Sequence, residues 1–206
     1  MIRFPACANI DEDLLVKLGK IKEDDRHAAW YGGRKIVKEF KEQILVQGRN
    51  IQGERCAWCT LPFGAVGRRR IDRDHIAPAS LHKKWTFHPK NLVLSCEFCN
   101  GLEVKKDIDT VNILHDDYDQ CVFHIVHPYL DIVSDHIQFD NDEDELPVLI
   151  IGKTDKGKWT ISNIKLDSSG LTTERAKEAY YAKRPRRAAP TNNDDKLILA
   201  ALQAIG

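Results

Sequence analysis

Residues 54–106 read ERCAWCTLPFGAVGRRRIDRDHIAPASLHKKWTFHPKNLVLSCEFCNGLEVKK, and this stretch decides the fold. It opens on Cys56-Ala57-Trp58-Cys59 and closes on Cys96-Glu97-Phe98-Cys99, with 36 residues between the inner cysteines. A CxxC turn aims two thiolates at one centre. Two such turns complete a tetrahedral set of four sulfurs, with Zn–S of about 2.3 Å. A closed set of this kind leaves no position for water, so the Zn²⁺ expected on Cys56, Cys59, Cys96 and Cys99 is structural. Two separate redox CxxC motifs are the competing explanation. Cys7 and Cys121 have no CxxC partner and read as ordinary semi-buried cysteines.

Between the knuckles, Arg70–His75 reads as a strand that ends on Asp74-His75 and is followed by Ile76-Ala77-Pro78. Asn91–Ser95 reads as a second strand, and Asn100–Asp107 as the start of a helix. The ordered set CxxC, DHxxP, NLxxxC and CN resembles the HNH endonuclease family, the zinc-stapled ββα-metal nucleases. The resemblance covers about residues 54–106. It implies that His75 is the general base, that Asp74 and Asn100 hold a catalytic divalent ion, and that Asn91 ties the strand to the loop bearing His75. These residue types suit phosphodiester hydrolysis. A neutral imidazole takes a proton from water near neutral pH. Carboxylate and amide oxygens favour Mg²⁺ or Mn²⁺ over a softer ion. Asp74 is alternatively an orienting partner of His75 and no ligand. The chain departs from the family pattern at Glu103, where many members carry Lys. Glu103 is either a contact to the metal's hydration shell or a surface carboxylate without a role.

Outside this stretch the sequence is less specific. A length of 206 residues, 42% hydrophobic and 30% charged, fits one domain with an elaborated end. No apolar run is long enough to span a bilayer, and Met1–Ile10 holds no long apolar segment. A cytoplasmic protein without a membrane role is expected, in a reducing compartment where metal binding explains six cysteines better than disulfides. The expected fold is α+β: a helical segment over 1–50, the HNH core over 51–106, and a mixed α/β extension over 107–206. Leu14, Leu15 and Leu18 mark a helix over Asp11–Lys20. Ile36, Val37, Phe40 and Ile44 mark another over Arg34–Gln47, ending near Gly48. Cys121–Val126, His136–Phe139, Val148–Ile151 and Lys158–Ile161 are strand candidates. Leu171–Lys183 reads as a helix that Ser169 or Thr172 could cap. Arg184–Asp195 reads as a linker and Lys196–Ile205 as a terminal helix.

Formal charge is zero, with 31 basic and 31 acidic side chains, which excludes a protein that coats nucleic acid by bulk charge. The charge is patterned. Arg68, Arg69, Arg70 and Arg73 precede Asp74, and Lys83 and Lys84 lie in the loop before Asn91. These six are expected to meet phosphates, with a solvated surface as the bland alternative. Trp85 and Phe87 read as packing residues. Residues 107–145 hold twelve acids and neither Lys nor Arg. They read as a solvated rim or as a docking face for a basic partner. His115, His124, His127 and His136 in this segment match no compact ligand spacing. His127-Pro128-Tyr129 with His136 also resembles a segment of Septu-type anti-phage HNH nuclease subunits, which work with an ATPase. The two resemblances imply a metal-dependent endonuclease cutting DNA in anti-phage defence or restriction, with an ATPase protein partner. The alternative is a non-catalytic zinc-ribbon subunit that binds nucleic acid or acts as a scaffold.

Overall fold

A computed structural model describes residues 3–64, 70–101, 104–105, 108–139 and 148–183. Three helices lead in. Helix α1 (Glu12–Gly19) buries Leu14 and Leu18, as its periodicity requires. Helix α2 (Glu23–Tyr31) is not expected from the sequence, because it buries only Ala29 and Trp30 and shows no apolar stripe. Its one local signal is the run Glu23, Asp24 and Asp25 in the first turn, where carboxylates favour the positive end of the helix dipole.

Helix α3 (Lys35–Gln52) buries Val37, Phe40, Ile44, Gly48 and Gln52 on one face. It therefore runs past Gly48, where the sequence suggested its end, and stops at Gly53 in the left-handed region (φ 59°). Gly48 serves close approach. A Cβ there would sit 2.9 Å from Cγ of Leu94, on the strand below. One turn on, the buried Gln52 amide behaves as an extra strand residue. Its Oε1 accepts from the Leu94 N–H (2.7 Å), and its Nε2 donates to the Leu94 carbonyl (2.8 Å).

Strands β1 (Ile71–His75) and β2 (Leu92–Cys96) pair antiparallel, with Asp74 opposite Val93 and His75 opposite Leu92. The expected helix from Asn100 is not seen among the described residues, where 100, 101, 104 and 105 lie in turns and a bend. Of the expected ββα unit, the described residues show an antiparallel pair of strands.

The extension adds two small antiparallel pairs. Strand β3 (Val111–Ile113) pairs with β4 (Val122–Phe123). A single helical turn, α4 (Val133–His136), leads into β5 (Ile137–Phe139), which pairs with β6 (Ile150–Gly152). Helix α5 (Asp155–Ile164) follows, then α6 (Ser169–Lys183). Lys158–Ile161 therefore lies in a helix and not in a strand. The β-branched pair Thr160-Ile161 suggested extension, but Gly157, Thr160, Ile161 and Ile164 are buried at helical spacing, and Thr154 caps the first turn. Gly157 is needed there, since a Cβ would fall 2.0 Å from the His136 carbonyl oxygen. At the start of α6 it is Ser168 whose hydroxyl lies nearest the capping position, 3.5 Å from the Leu171 N–H. The acidic loop Asp140–Glu145, the linker Arg184–Asp195 and the terminal segment Lys196–Ile205 lie outside the described residues.

The result is a mixed α+β fold in which one cluster of buried apolar side chains runs from Phe4 to Leu171. The expected segments interlock. Phe4 donates its N–H to the Pro128 carbonyl (3.0 Å), and Arg55 pairs with Glu178 at 3.1 Å. No helix among the described residues is long and apolar enough to cross a membrane.

Candidate functional site

The two knuckles meet. All four sulfurs of Cys56, Cys59, Cys96 and Cys99 lie within 4.8 Å of one another, and Cys59 and Cys96 Sγ are 3.9 Å apart. Four ligands at about 2.3 Å around a tetrahedral ion sit roughly 3.8 Å from each other. The four sulfurs therefore stand at metal-binding distance for an ion such as zinc. Local backbone makes each turn. Thr60 adopts a positive φ of 63° just after Cys59, and its N–H returns to the Cys56 carbonyl (3.0 Å). The Asn100 N–H returns to the Cys96 carbonyl in the same way (3.1 Å). The Cys96 N–H donates to Cys56 Sγ at 3.3 Å, which favours a thiolate there. Burial acts the other way and pushes the Cys56 thiol up. A bound cation resolves that conflict, because it holds the thiolate form in the interior. Cys7 and Cys121 stand outside this cluster.

Sixteen residues after Trp58, β1 carries Asp74 and His75 to the mouth of a cavity of about 120 Å³. Its lining includes His27, Trp30, Tyr31, Arg73, Asn100 and Lys105 beside these two. His75 is half-buried. Its Nε2 lies 3.0 Å from the Thr86 carbonyl. A carbonyl only accepts, so Nε2 carries the proton and the Nδ1 lone pair is left free. Nδ1 has no hydrogen-bond partner among the described residues. The edge of Trp30 packs on the ring at 4.4 Å between centroids. Burial, reinforced by the charges of Lys105, His27 and Lys41, pushes the His75 pKa down to about 3 against the pull of the Thr86 hydrogen bond. The imidazole is therefore neutral at physiological pH.

Asp74 has a different environment. One oxygen accepts from the Trp58 indole N–H (2.7 Å) and the other from the Lys105 ammonium (2.6 Å). The Asp74 and Lys105 side chains are 3% and 4% exposed, so the ion pair is fully buried. Lys105 also donates to the His75 carbonyl and lies 5.3 Å from the centre of the Trp58 ring. Asn100 lines the cavity, but its amide is 3.4 Å from Asp72. In this arrangement both Asp74 oxygens are engaged, while Asn100 turns its amide nitrogen to Asp72 and its oxygen has no hydrogen-bond partner among the described residues.

No family model matches this chain, and no curated protein does.

Asn91 is fully buried and clamps two loops. Its Oδ1 accepts from the Ala77 N–H (2.7 Å), and its Nδ2 donates to the carbonyls of Ala77 and Trp85 (3.1 Å each). Among the candidate phosphate contacts, Arg70 and Arg73 line one groove with Lys41 and Asn100, and Lys83 and Lys84 line another. Arg68 and Arg69 lie outside the described residues. Arg70 is exposed and paired with Asp72 (2.8 Å). Arg73 lines the cavity and donates to the Lys41 carbonyl (2.6 Å). Lys83 pairs with Asp24 (3.3 Å) and Lys84 with Asp116 (2.8 Å). Glu103 also lies outside the described residues.

The carboxylates of the acidic segment are largely exposed where it is described, and several of them are paired. Asp109 meets His82 (2.7 Å), Asp119 meets Lys90, and Asp131 meets Lys156 (2.6 Å). The segment's histidines are dispersed. His136 Nδ1 meets the Thr154 hydroxyl (2.8 Å), while His124 stacks on Trp159. His27, Trp30, Tyr31 and Lys105 at the cavity are not marked by any motif in the sequence. Helix α2 has no apolar stripe to draw attention to its aromatic end. Lys105 is a charged residue in a basic stretch, and nothing local marks it as buried.

Proposed function

We propose that this protein hydrolyses phosphodiester bonds in nucleic acid, with His75 as the general base, on a hairpin stapled by a four-cysteine zinc site. The observation that supports it is the His75 ring. It is neutral, held by Thr86 with its proton on Nε2, and its free Nδ1 belongs to a cavity walled by Arg73, Asn100 and Lys105. Water at Nδ1 gives its proton to the ring while its oxygen attacks phosphorus, and the leaving oxygen departs as the P–O bond breaks. A base with a pKa near 3 is weak, but the negative charge of a bound phosphodiester raises it. Arg73 supplies positive charge beside the phosphate. Zinc on Cys56, Cys59, Cys96 and Cys99 keeps β1 and β2 in register and takes no part in the reaction.

The test is cleavage of plasmid DNA and of an RNA of matching sequence by the wild type and by His75→Ala. Each runs with Mg²⁺, with Mn²⁺ and with a mild chelator that leaves the zinc in place. Loss of a positioned base should slow cleavage about 10²–10⁴-fold with zinc content unchanged. Equal rates for the two proteins would overturn the assignment. A second reading, a non-catalytic scaffold, is favoured by one observation: both Asp74 oxygens are already engaged inside the protein. Absence of cleavage under every metal condition would decide for it.

A further inference from the structure

The sequence motif His127-Pro128-Tyr129 plays no part in the reaction just described, yet His127 is wholly buried. Its surroundings dictate its proton. The N–H groups of Tyr129 and Leu130 both donate to Nδ1, each at 3.2 Å. Nδ1 is therefore the acceptor nitrogen, and the neutral ring carries its hydrogen on Nε2. Nε2 lies 2.9 Å from the Tyr118 hydroxyl. With that oxygen accepting from His127, the Tyr118 O–H is free to donate, and Asn91 Oδ1 is 2.9 Å away. Asn91 Oδ1 accepts a second bond from Ala77, so its amide cannot flip, and Nδ2 must face Ala77 and Trp85. Trp85 is the residue before Thr86, whose carbonyl holds His75 Nε2.

The direction of this chain is thus determined at every step: main chain to His127, His127 to Tyr118, Tyr118 to Asn91, Asn91 to the backbone of Ala77 and Trp85. Aromatic packing keeps it in place. Tyr118 stacks on His88 at 4.5 Å and meets the edge of Trp85 at 5.2 Å. Burial holds both rings neutral, with the His127 pKa well below and the Tyr118 pKa well above their ordinary values. Neither ring lines the cavity. We infer that His127 and Tyr118 are positioning residues: acting through Asn91, they hold the Trp85–Thr86 backbone where the Thr86 carbonyl fixes His75 with Nδ1 free. The extension is then a working part of the hairpin's chemistry and not an appended module. This inference rests on the proposed role of His75.

Tyr118→Phe removes the hydroxyl and keeps the ring. His127→Leu removes both hydrogen-bonding nitrogens, and His127→Gln restores a donor where Nε2 stood. The readouts on the full-length, zinc-loaded chain are the ¹⁵N shifts of the His75 ring, which report its tautomer, and the kcat and KM of DNA cleavage. The wild type and His127→Gln should show one tautomer with the proton on Nε2. Tyr118→Phe and His127→Leu should show shifts averaged between the two tautomers. Their kcat should fall roughly ten- to a hundredfold, as for a slightly misplaced group, with KM changing less than twofold. An unshifted His75 spectrum in folded Tyr118→Phe overturns the inference. Should His127→Leu not fold, Tyr118→Phe alone decides. A shifted His75 in a protein that never cleaves leaves the positioning chain intact and removes the nuclease assignment, so the two failures are distinguishable.

Discussion

In the hairpin, four sulfurs on two turns converge to within 4.8 Å of one another, whereas in the extension the buried polar groups are spread out. Thr110 donates to the Ile76 carbonyl (2.6 Å), Thr160 accepts from the Val126 N–H (2.8 Å), and Arg175 donates to the carbonyls of Val148 and Leu166 (2.7 and 2.8 Å). His127 and Tyr118 belong to the same pattern. The hairpin concentrates its order in one metal-binding point. The extension distributes it over many hydrogen bonds, each worth about 1 kcal/mol net but costly to leave half-made. The difference teaches where single substitutions should be catastrophic and where they should be graded.

The largest effect belongs to the sulfurs. Metal binding in a small four-thiolate site is folding free energy, of order 10 kcal/mol. Cys99→Ser should lose the metal and at least about 5 kcal/mol of stability, or roughly 10–20 °C in Tm for a chain of this size. Calorimetry paired with metal analysis reads both. A variant that melts like the wild type would erase the contrast, because the hairpin would then not depend on its cluster.

An intermediate effect belongs to pH. His127 is neutral in the fold because burial drives its pKa well below the ordinary value, while in the unfolded chain it titrates near 6.5. Below about pH 7 the unfolded state therefore binds the extra proton, and stability falls with falling pH towards the depressed native pKa. From pH 7 to pH 5.5 this histidine should cost about 1 kcal/mol. Urea unfolding of the wild type and His127→Gln at both pH values isolates it, with the variant losing that much less. Identical pH slopes would mean that the extension's network does not depend on a neutral His127.

The smallest effect belongs to the rim, where the acidic segment meets the basic loop. The Lys90–Asp119 pair is partly exposed, and such pairs contribute about 0–1 kcal/mol. Asp119→Asn should shift the urea midpoint only within that range, and less in high salt. A loss of several kcal/mol would show that the extension is fastened to the hairpin by charge and not by its buried hydrogen bonds.

Local pattern alone determined a good part of this molecule. Two CxxC turns bring their four cysteines together because a knuckle is a local constraint, and the strands Ile71–His75 and Leu92–Cys96 lie within one residue of the bounds expected from the sequence. The stripes of α1 and α3 were legible for the same reason, although the end of α3 was not. Gly48 is a stop signal in isolation and a contact residue once Leu94 lies beneath it. The tertiary structure alone decided which polar groups meet. Lys105 against Asp74, Trp30 against His75, Tyr118 between His127 and Asn91, and Asp116 on Lys84 all join residues distant in sequence. A lysine or a carboxylate suits solvent or a buried partner equally well by composition. Which it takes is set by the burial cost of leaving it unpaired, and that cost exists only after the chain has closed around it.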